Sequence, residues 1–333
     1  MHVLVTGCGG FLGREIVSQL LARGESVRGL ARGAYPELEE LGVDVRRGDV
    51  TDANQVNEAV RGVDAVIHCA AIAGLWGRWD RYHSINTVGT LNVIDACKTY
   101  RTGILVHCSS PSVTFDGGDQ SGIDESAPYP AKYLCHYSHT KALAEQAVLN
   151  ANSPGQLHTA ALRPHLIWGD KDPHLFPRLI ERARRGRLTI VGDGKNVIDT
   201  VHVRNAAAAH VNALDHLRQT APPGGGRAFF VTQDEPINCW QWISQILQIA
   251  NVNPPTRKIG LRTAWRIGLA FETAYKIAGI DREPPMTRFL AAQLARDHYF
   301  DITAAKSILG YRPSVSTETG LNELRTLWAG NKP

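Results

Sequence analysis

The first thirteen residues, MHVLVTGCGGFLG, restrict what this chain can fold into more than any other stretch. Val3, Leu4 and Val5 make a short apolar run closed by the small Thr6, the pattern of a buried parallel strand. Gly7, Gly10 and Gly13 then punctuate the entry into REIVSQLLARG, which reads as a helix. The first glycine permits a tight turn, the second lets the backbone approach a pyrophosphate, and the third lets helix and strand pack closely. Unpaired N–H groups at the helix start then face the anion. A strand, a glycine turn and a helix in immediate succession imply a dinucleotide cradle, with Gly7, Gly10, Phe11, Leu12 and Gly13 as its candidate contacts.

The next hundred residues repeat the alternation. Strands are expected at ESVRGLAR (25–32), at Val43-Asp44-Val45, at VDAVIHCAA (63–71) and at ILVHCSS (104–110), with a helix over 85–100. Five strands with intervening helices predict an α/β fold, a Rossmann-type doubly wound parallel sheet. Residues 1–165 would form the dinucleotide-binding domain. Residues 166–333 would form a smaller α/β substrate-binding region, with 195–217 returning to the Rossmann core.

The end of the second strand selects the cofactor. An acid there would accept bonds from a ribose 2′-hydroxyl, whereas an arginine accommodates a 2′-phosphate. Here the strand ends Leu30-Ala31-Arg32, so NADP(H) is favoured over NAD(H), with Arg32 and Arg28 as candidate phosphate partners. Asp49 and Val50 follow the third strand, where an acceptor can receive an adenine amino group; Thr51 or Asp52 would cap the next helix. The small Ala70 and Ala71 would let a cofactor lie against the fourth strand.

Charge and cysteine usage narrow the class. The net charge of +4 on 333 residues is small, and basic residues alternate with acids, which gives no reason to expect nucleic acid. Six scattered cysteines without a CxxC pair, and no signal peptide before the first strand, predict reduced thiols in a cytoplasmic protein and no metal. No apolar run has the length of a membrane span.

The chemistry enters at Tyr137-Ser138-His139-Thr140-Lys141. A spacing of four puts Tyr137 and Lys141 on one helix face, where the ammonium would favour the phenolate and help it exchange protons. Ser109, Ser110 and Ser112 lie at the carboxyl end of the fifth strand, where ligands bind in open α/β sheets. Tyr133 has no lysine four residues later. The aromatic stretch GLWGRWDRYHS (74–84) reads as a loop over a binding site, with two tryptophans packed on a sheet edge as the alternative.

Together TGCGGFLG, the HCAA strand, Asn86 in SINTVGT, the serine-bearing strand and YSHTK resemble the extended short-chain dehydrogenase/reductase superfamily. SSPSVTFDG, ALRPHLIWG and GLWGRW are similar to its 3β-hydroxysteroid dehydrogenase/isomerase branch, above all to bacterial reductases of 2-alkyl-3-oxoalkanoic acids in olefin synthesis. The resemblance implies an oxidoreductase that interconverts a ketone and a secondary alcohol on a bulky apolar small molecule. Tyr137 would be the acid/base, Lys141 would hold the nicotinamide ribose, and Ser110, three residues before Val113, would bind the substrate oxygen, with Ser112 as the fallback. Asn86 would organise the cofactor side, and Pro164 with its neighbours Arg163 and His165 would line the nicotinamide amide.

The second half yields less. PRLIERARRGR (177–187) reads as a solvated basic helix face, and Arg204 stands where relatives usually carry aspartate. In 262–280, Trp265, Leu269, Ala270, Tyr275 and Ile277 recur at helical spacing. The resemblance makes this helix a border of the substrate entrance with peripheral membrane or partner-enzyme contact, while a core or dimer helix fits equally. It also implies a homodimer through the helices carrying Asn86 and Tyr137. The competing readings are a nucleotide-sugar epimerase or dehydratase with tightly bound NAD(H), and a nucleotide-binding relative without turnover.

Overall fold

The computed structural model describes residues 1–219 and 224–330. Its first half runs β1 (His2–Thr6), α1 (Phe11–Ala22), β2 (Ser26–Ala31), β3 (Asp44–Arg47), α2 (Ala53–Val60), β4 (Ala65–His68), α3 (Gly89–Tyr100), β5 (Ile104–Cys108), α4 (His136–Asn150) and β6 (His158–Pro164). Then follow α5 (Leu175–Arg184), α6 (Val203–Leu217), β7 (Arg227–Val231), α7 (Cys239–Ile249) and α8 (Leu261–Ile277). The seven strands form one parallel sheet in the order β7-β6-β5-β4-β1-β2-β3. The order reverses between β1 and β4, so the carboxyl edge there is the crevice where such sheets take ligands.

Side-chain alternation explains why β1 reads as continuously apolar. Val3 and Val5 face the layer that contains α1 and α6, and Leu4 faces the layer that contains α2 and α3. All three are fully buried, each contributing roughly 1.5–3 kcal/mol of apolar burial. Asp52 caps α2 by accepting from the N–H groups of Asn54 and Gln55. The chain returns to the sheet twice after residue 165, through α6, which packs on α1, and through β7.

The rest of the second half is stitched together by short pairings. Ile237–Asn238, Val197–Ile198, His298–Phe300 and Gln120–Ile123 make a four-stranded sheet of very short strands. Two residues carry no readable period, so only their surroundings specify them. Here a buried cluster of Trp168, Phe176, Trp240, Trp242, Ile243 and Leu247 holds α5 and α7 together. Among the described residues no helix is long and apolar enough to cross a membrane.

Candidate active site

The glycine turn behaves as backbone sterics demand. Gly7 has a φ of +71°, and a Cβ there would lie 3.0 Å from the Cα and N of Ala70. A Cβ on Gly13 would come within 2.2 Å of the Gly7 carbonyl oxygen. Gly10 is the N-cap of α1 and has no side-chain cap, so the helix start keeps donors for an anion. This cradle fits a dinucleotide, because the volume a side chain would fill is the volume its phosphates need.

Gly7, Gly10, Phe11, Leu12, Gly13 and Ala71 form one end of a cleft of about 550 Å³, and Ser110, Tyr137, Lys141 and Pro164 continue it. From there the lining turns apolar, with Leu75, Leu166, Leu179, Trp242 and Phe289 among its walls. These expected residues therefore share one cavity with a large apolar space, while Arg32, Asp49, Val50, Ala70 and Asn86 are not part of its lining.

Tyr137 opens α4, and Ser110 caps the turn that follows β5. Burial pushes the Tyr137 phenol above its ordinary range, and the nearby Ser110 hydroxyl partly offsets this. Ser110 also accepts from the Ser112 N–H at 3.2 Å, and the two hydroxyls lie 2.9 Å apart. Ser110 and Ser112 both line the cleft with Tyr137.

Lys141 departs from the sequence expectation. Its Nζ donates to the Cys108 carbonyl at 2.6 Å and lies 3.1 Å from His107 Nε2, instead of sitting on the phenol. The ammonium is buried, which lowers its proton affinity, and His107 beside it is held neutral by the same burial. In this arrangement the phenol keeps its proton at neutral pH.

Asn86 is fully buried and does not border the cleft. Its amide accepts from the Ile72 N–H at 2.8 Å and donates to the Ile72 carbonyl and to Thr140 Oγ1, each at 3.1 Å. It clips the β4 loop to the helix that carries Tyr137, from a π-helical turn over His83–Val88.

The adenosine side needs one correction. Arg28 is not a phosphate partner: it pairs with Asp44 at 2.8 Å and donates to the carbonyls of Ala59 and Arg61, closing the end of α2. Arg32 is exposed, and Arg47 docks its Nε on the Arg32 carbonyl at 3.1 Å, a second cation that the sequence reading missed. Asp49 accepts from the N–H and hydroxyl of Thr51, both at 2.9 Å, and Val50 is buried against Gly89. Ala70 lies over Gly7.

Two further expectations change. The basic helix is not simply a solvated face: Arg178 and Arg182, four apart on α5, border the apolar part of the cleft and share Glu283. Their spacing with Leu175 and Leu179 was the available signal. The apolar stripe expected over 262–280 is split, since Trp265 packs inward beside Phe115 and Tyr137 while Leu269 and Ile277 are exposed. Trp76 donates to the Ile280 carbonyl at 2.9 Å, so the aromatic stretch docks beside α8 and sends Leu75 into the cleft. Arg204, at the departure from the usual aspartate, pairs with Glu323.

A glycine cradle at the switch point, a serine past the adjoining strand end and a tyrosine in the first turn of α4 are the arrangement of an oxidoreductase of the extended short-chain dehydrogenase/reductase class. The model of the 3-beta hydroxysteroid dehydrogenase/isomerase family matches residues 4–260, and the chain belongs to that family. It is 46% identical to the 2-alkyl-3-oxoalkanoate reductase of Shewanella oneidensis over 97% of this chain and 85% of that one. Identity to the sterol-4-alpha-carboxylate 3-dehydrogenase, decarboxylating, of Mus musculus is 35%, over 94% of this chain and 87% of that one. Among solved structures, UDP-glucuronic acid 4-epimerase from Bacillus cereus in complex with NAD superposes with a TM-score of 0.73 at 22% identity, covering 98% of this chain and 100% of that one. At that identity the likeness speaks for the fold alone.

Proposed function

We propose that the chain reduces the ketone of a 2-alkyl-3-oxo acid to the secondary alcohol, with NADPH preferred over NADH. The observation that carries the reading is that Tyr137 and Ser110 line the junction between the glycine cradle and an apolar cavity. A neutral phenol is the right form for reduction, because it donates to an oxygen that gains negative charge.

When bound, the nicotinamide cofactor supplies the hydride. Gly7, Gly10, Phe11, Leu12 and Gly13 would hold its phosphates on the α1 terminus, and Ala71 and Pro164 would flank it. Ser110 orients the substrate oxygen and Tyr137 delivers the proton at its hydroxyl. Lys141, whose Nζ is held by the Cys108 carbonyl rather than by the phenol, would bind the nicotinamide ribose. Arg32, with Arg47 on its carbonyl and no acid at the strand end, supports recognition of a 2′-phosphate.

The substrate class rests on what two sets of relatives share. A 2-alkyl-3-oxoalkanoate and a sterol 4-carboxylate that reacts at C3 both carry a carboxylate one carbon away from the reacting carbon. An apolar cavity with a cationic Arg178–Arg182 pair suits a long-chain acid of that kind. The test is NADPH oxidation against a panel of 2-alkyl-3-oxo acids, 3-oxosteroids and UDP-sugars. Turnover confined to the first group supports the reading, and turnover of UDP-sugars alone sinks it.

A further inference from the structure

The carboxyl edge of the sheet carries a second cluster of donor atoms that the reductase chemistry does not use. Cys69 follows β4 and Cys108 ends β5, and the parallel register that pairs His68 with His107 sets the two cysteines side by side on the opposite face. That face is covered by α6, whose His210 points up at them. The two sulfur atoms and a His210 ring nitrogen all lie within 4.8 Å of one another.

Details of the cluster separate it from a chance meeting of thiols. His210 is fully buried, and its Nδ1 lies 2.7 Å from the Ala206 carbonyl, so Nδ1 donates there and Nε2 is the ring nitrogen left for a ligand. A backbone carbonyl on the far nitrogen is the usual means of orienting a metal-binding imidazole. Nε2 makes no hydrogen bond, which leaves a buried ring nitrogen without a partner beside the thiols. Both cysteines border the cleft and His210 does not, so three donors converge from the sheet side and a fourth direction stays open.

We infer that Cys69, Cys108 and His210 form a site for a thiophilic divalent cation, Zn²⁺ above all, with two thiolates, one neutral imidazole and a fourth position open to the cleft. Binding displaces the thiol protons to solvent, and the two thiolates balance the charge of the ion. Nothing in the sequence spacing discloses the site, because its donors come from two strands and a helix that only the fold brings together.

The experiment uses the full chain, stripped with a chelator, kept reduced with a phosphine and free of added nucleotide, titrated with Co²⁺ and then Zn²⁺. One equivalent of Co²⁺ should develop thiolate-to-cobalt charge-transfer absorption with tetrahedral visible bands, and Zn²⁺ should abolish both. Cys69→Ser, Cys108→Ser and His210→Gln should each weaken Co²⁺ binding by at least about tenfold, the scale of losing a part of a metal site. Cys97→Ser, a buried thiol on α3 outside the cluster, should leave the titration unchanged and so controls for variants that merely fold poorly. A reduced wild-type chain that shows no cobalt–thiolate band, or a band removed as completely by Cys97→Ser as by Cys69→Ser, overturns the site.

Discussion

The two ends of the cleft are built by different means. At the cofactor end the geometry is imposed by backbone: strands of four to six residues in unbroken parallel register, and a turn whose glycines cannot accept a Cβ. At the substrate end it is assembled from side chains on distant segments, with Leu75, Leu179, Trp242 and Phe289 meeting around two-residue strands. Backbone constraints tolerate no substitution, whereas a wall of interchangeable apolar groups tolerates many. One fold can therefore keep its cofactor and change its substrate.

Substitutions at particular residues can break or sharpen that contrast. The largest effect is expected at the junction of the two ends. Tyr137→Phe should lower kcat by about a hundred- to ten-thousandfold while leaving the nucleotide Kd nearly unchanged, as turnover and fluorescence titration together would show. Retained turnover would remove Tyr137 from the chemistry.

Asp199 probes the folding of the substrate end. It is fully buried, one carboxylate oxygen accepts from the Phe300 N–H at 2.8 Å, and burial pushes its pKa up to about 7. The folded chain then binds a proton that the unfolded chain has lost, so stability falls as pH rises from about 4 through about 7. The loss is on the order of a few kcal/mol. Asp199→Asn should flatten the fall in Tm between pH 5 and pH 8, and an unchanged slope would deny the shift.

Gly13→Ala tests the backbone constraint itself. Its Cβ would meet the Gly7 carbonyl at 2.2 Å, so overpacking of about 1–3 kcal/mol and weakened nucleotide binding are expected. Gly103→Ala, with open space around it, should be close to neutral in the same melts. Equal effects would show that the turn is no tighter than an ordinary loop.

Arg32→Ala should have the smallest effect. Loss of a solvent-exposed ion pair near 1 kcal/mol should raise KM for NADPH by about fivefold and leave KM for NADH unmoved. A parallel rise for both nucleotides would detach Arg32 from the 2′-phosphate.

The same contrast decides what could be read from the residues alone. Gly7 and Gly13 were legible because a turn and a close approach follow from local spacing, whereas the spacing of Tyr137 and Lys141 gave one helix face but not the Cys108 carbonyl and His107 ring that draw the ammonium away from the phenol. Asn86 was legible as a position but not as a clip, since its partners Ile72 and Thr140 lie on other segments. Arg28 misled because its partner Asp44 sits on the neighbouring strand, and no local pattern reveals a pairing across strands. Arg178 and Arg182 read as surface because a basic i, i+4 pair usually is, and only the packing of α5 over the cleft turns them inward.

The central claim is that a hydride from the nicotinamide reaches a ketone held by Tyr137 in this cleft. It is tested most directly by incubating the chain with a 2-alkyl-3-oxo acid and NADPH carrying deuterium at the nicotinamide C4, and weighing the product. The expected result is an alcohol with one deuterium at C3, formed by the wild type and not by Tyr137→Phe. An unlabelled alcohol, or nucleotide consumed without any alcohol, would contradict it.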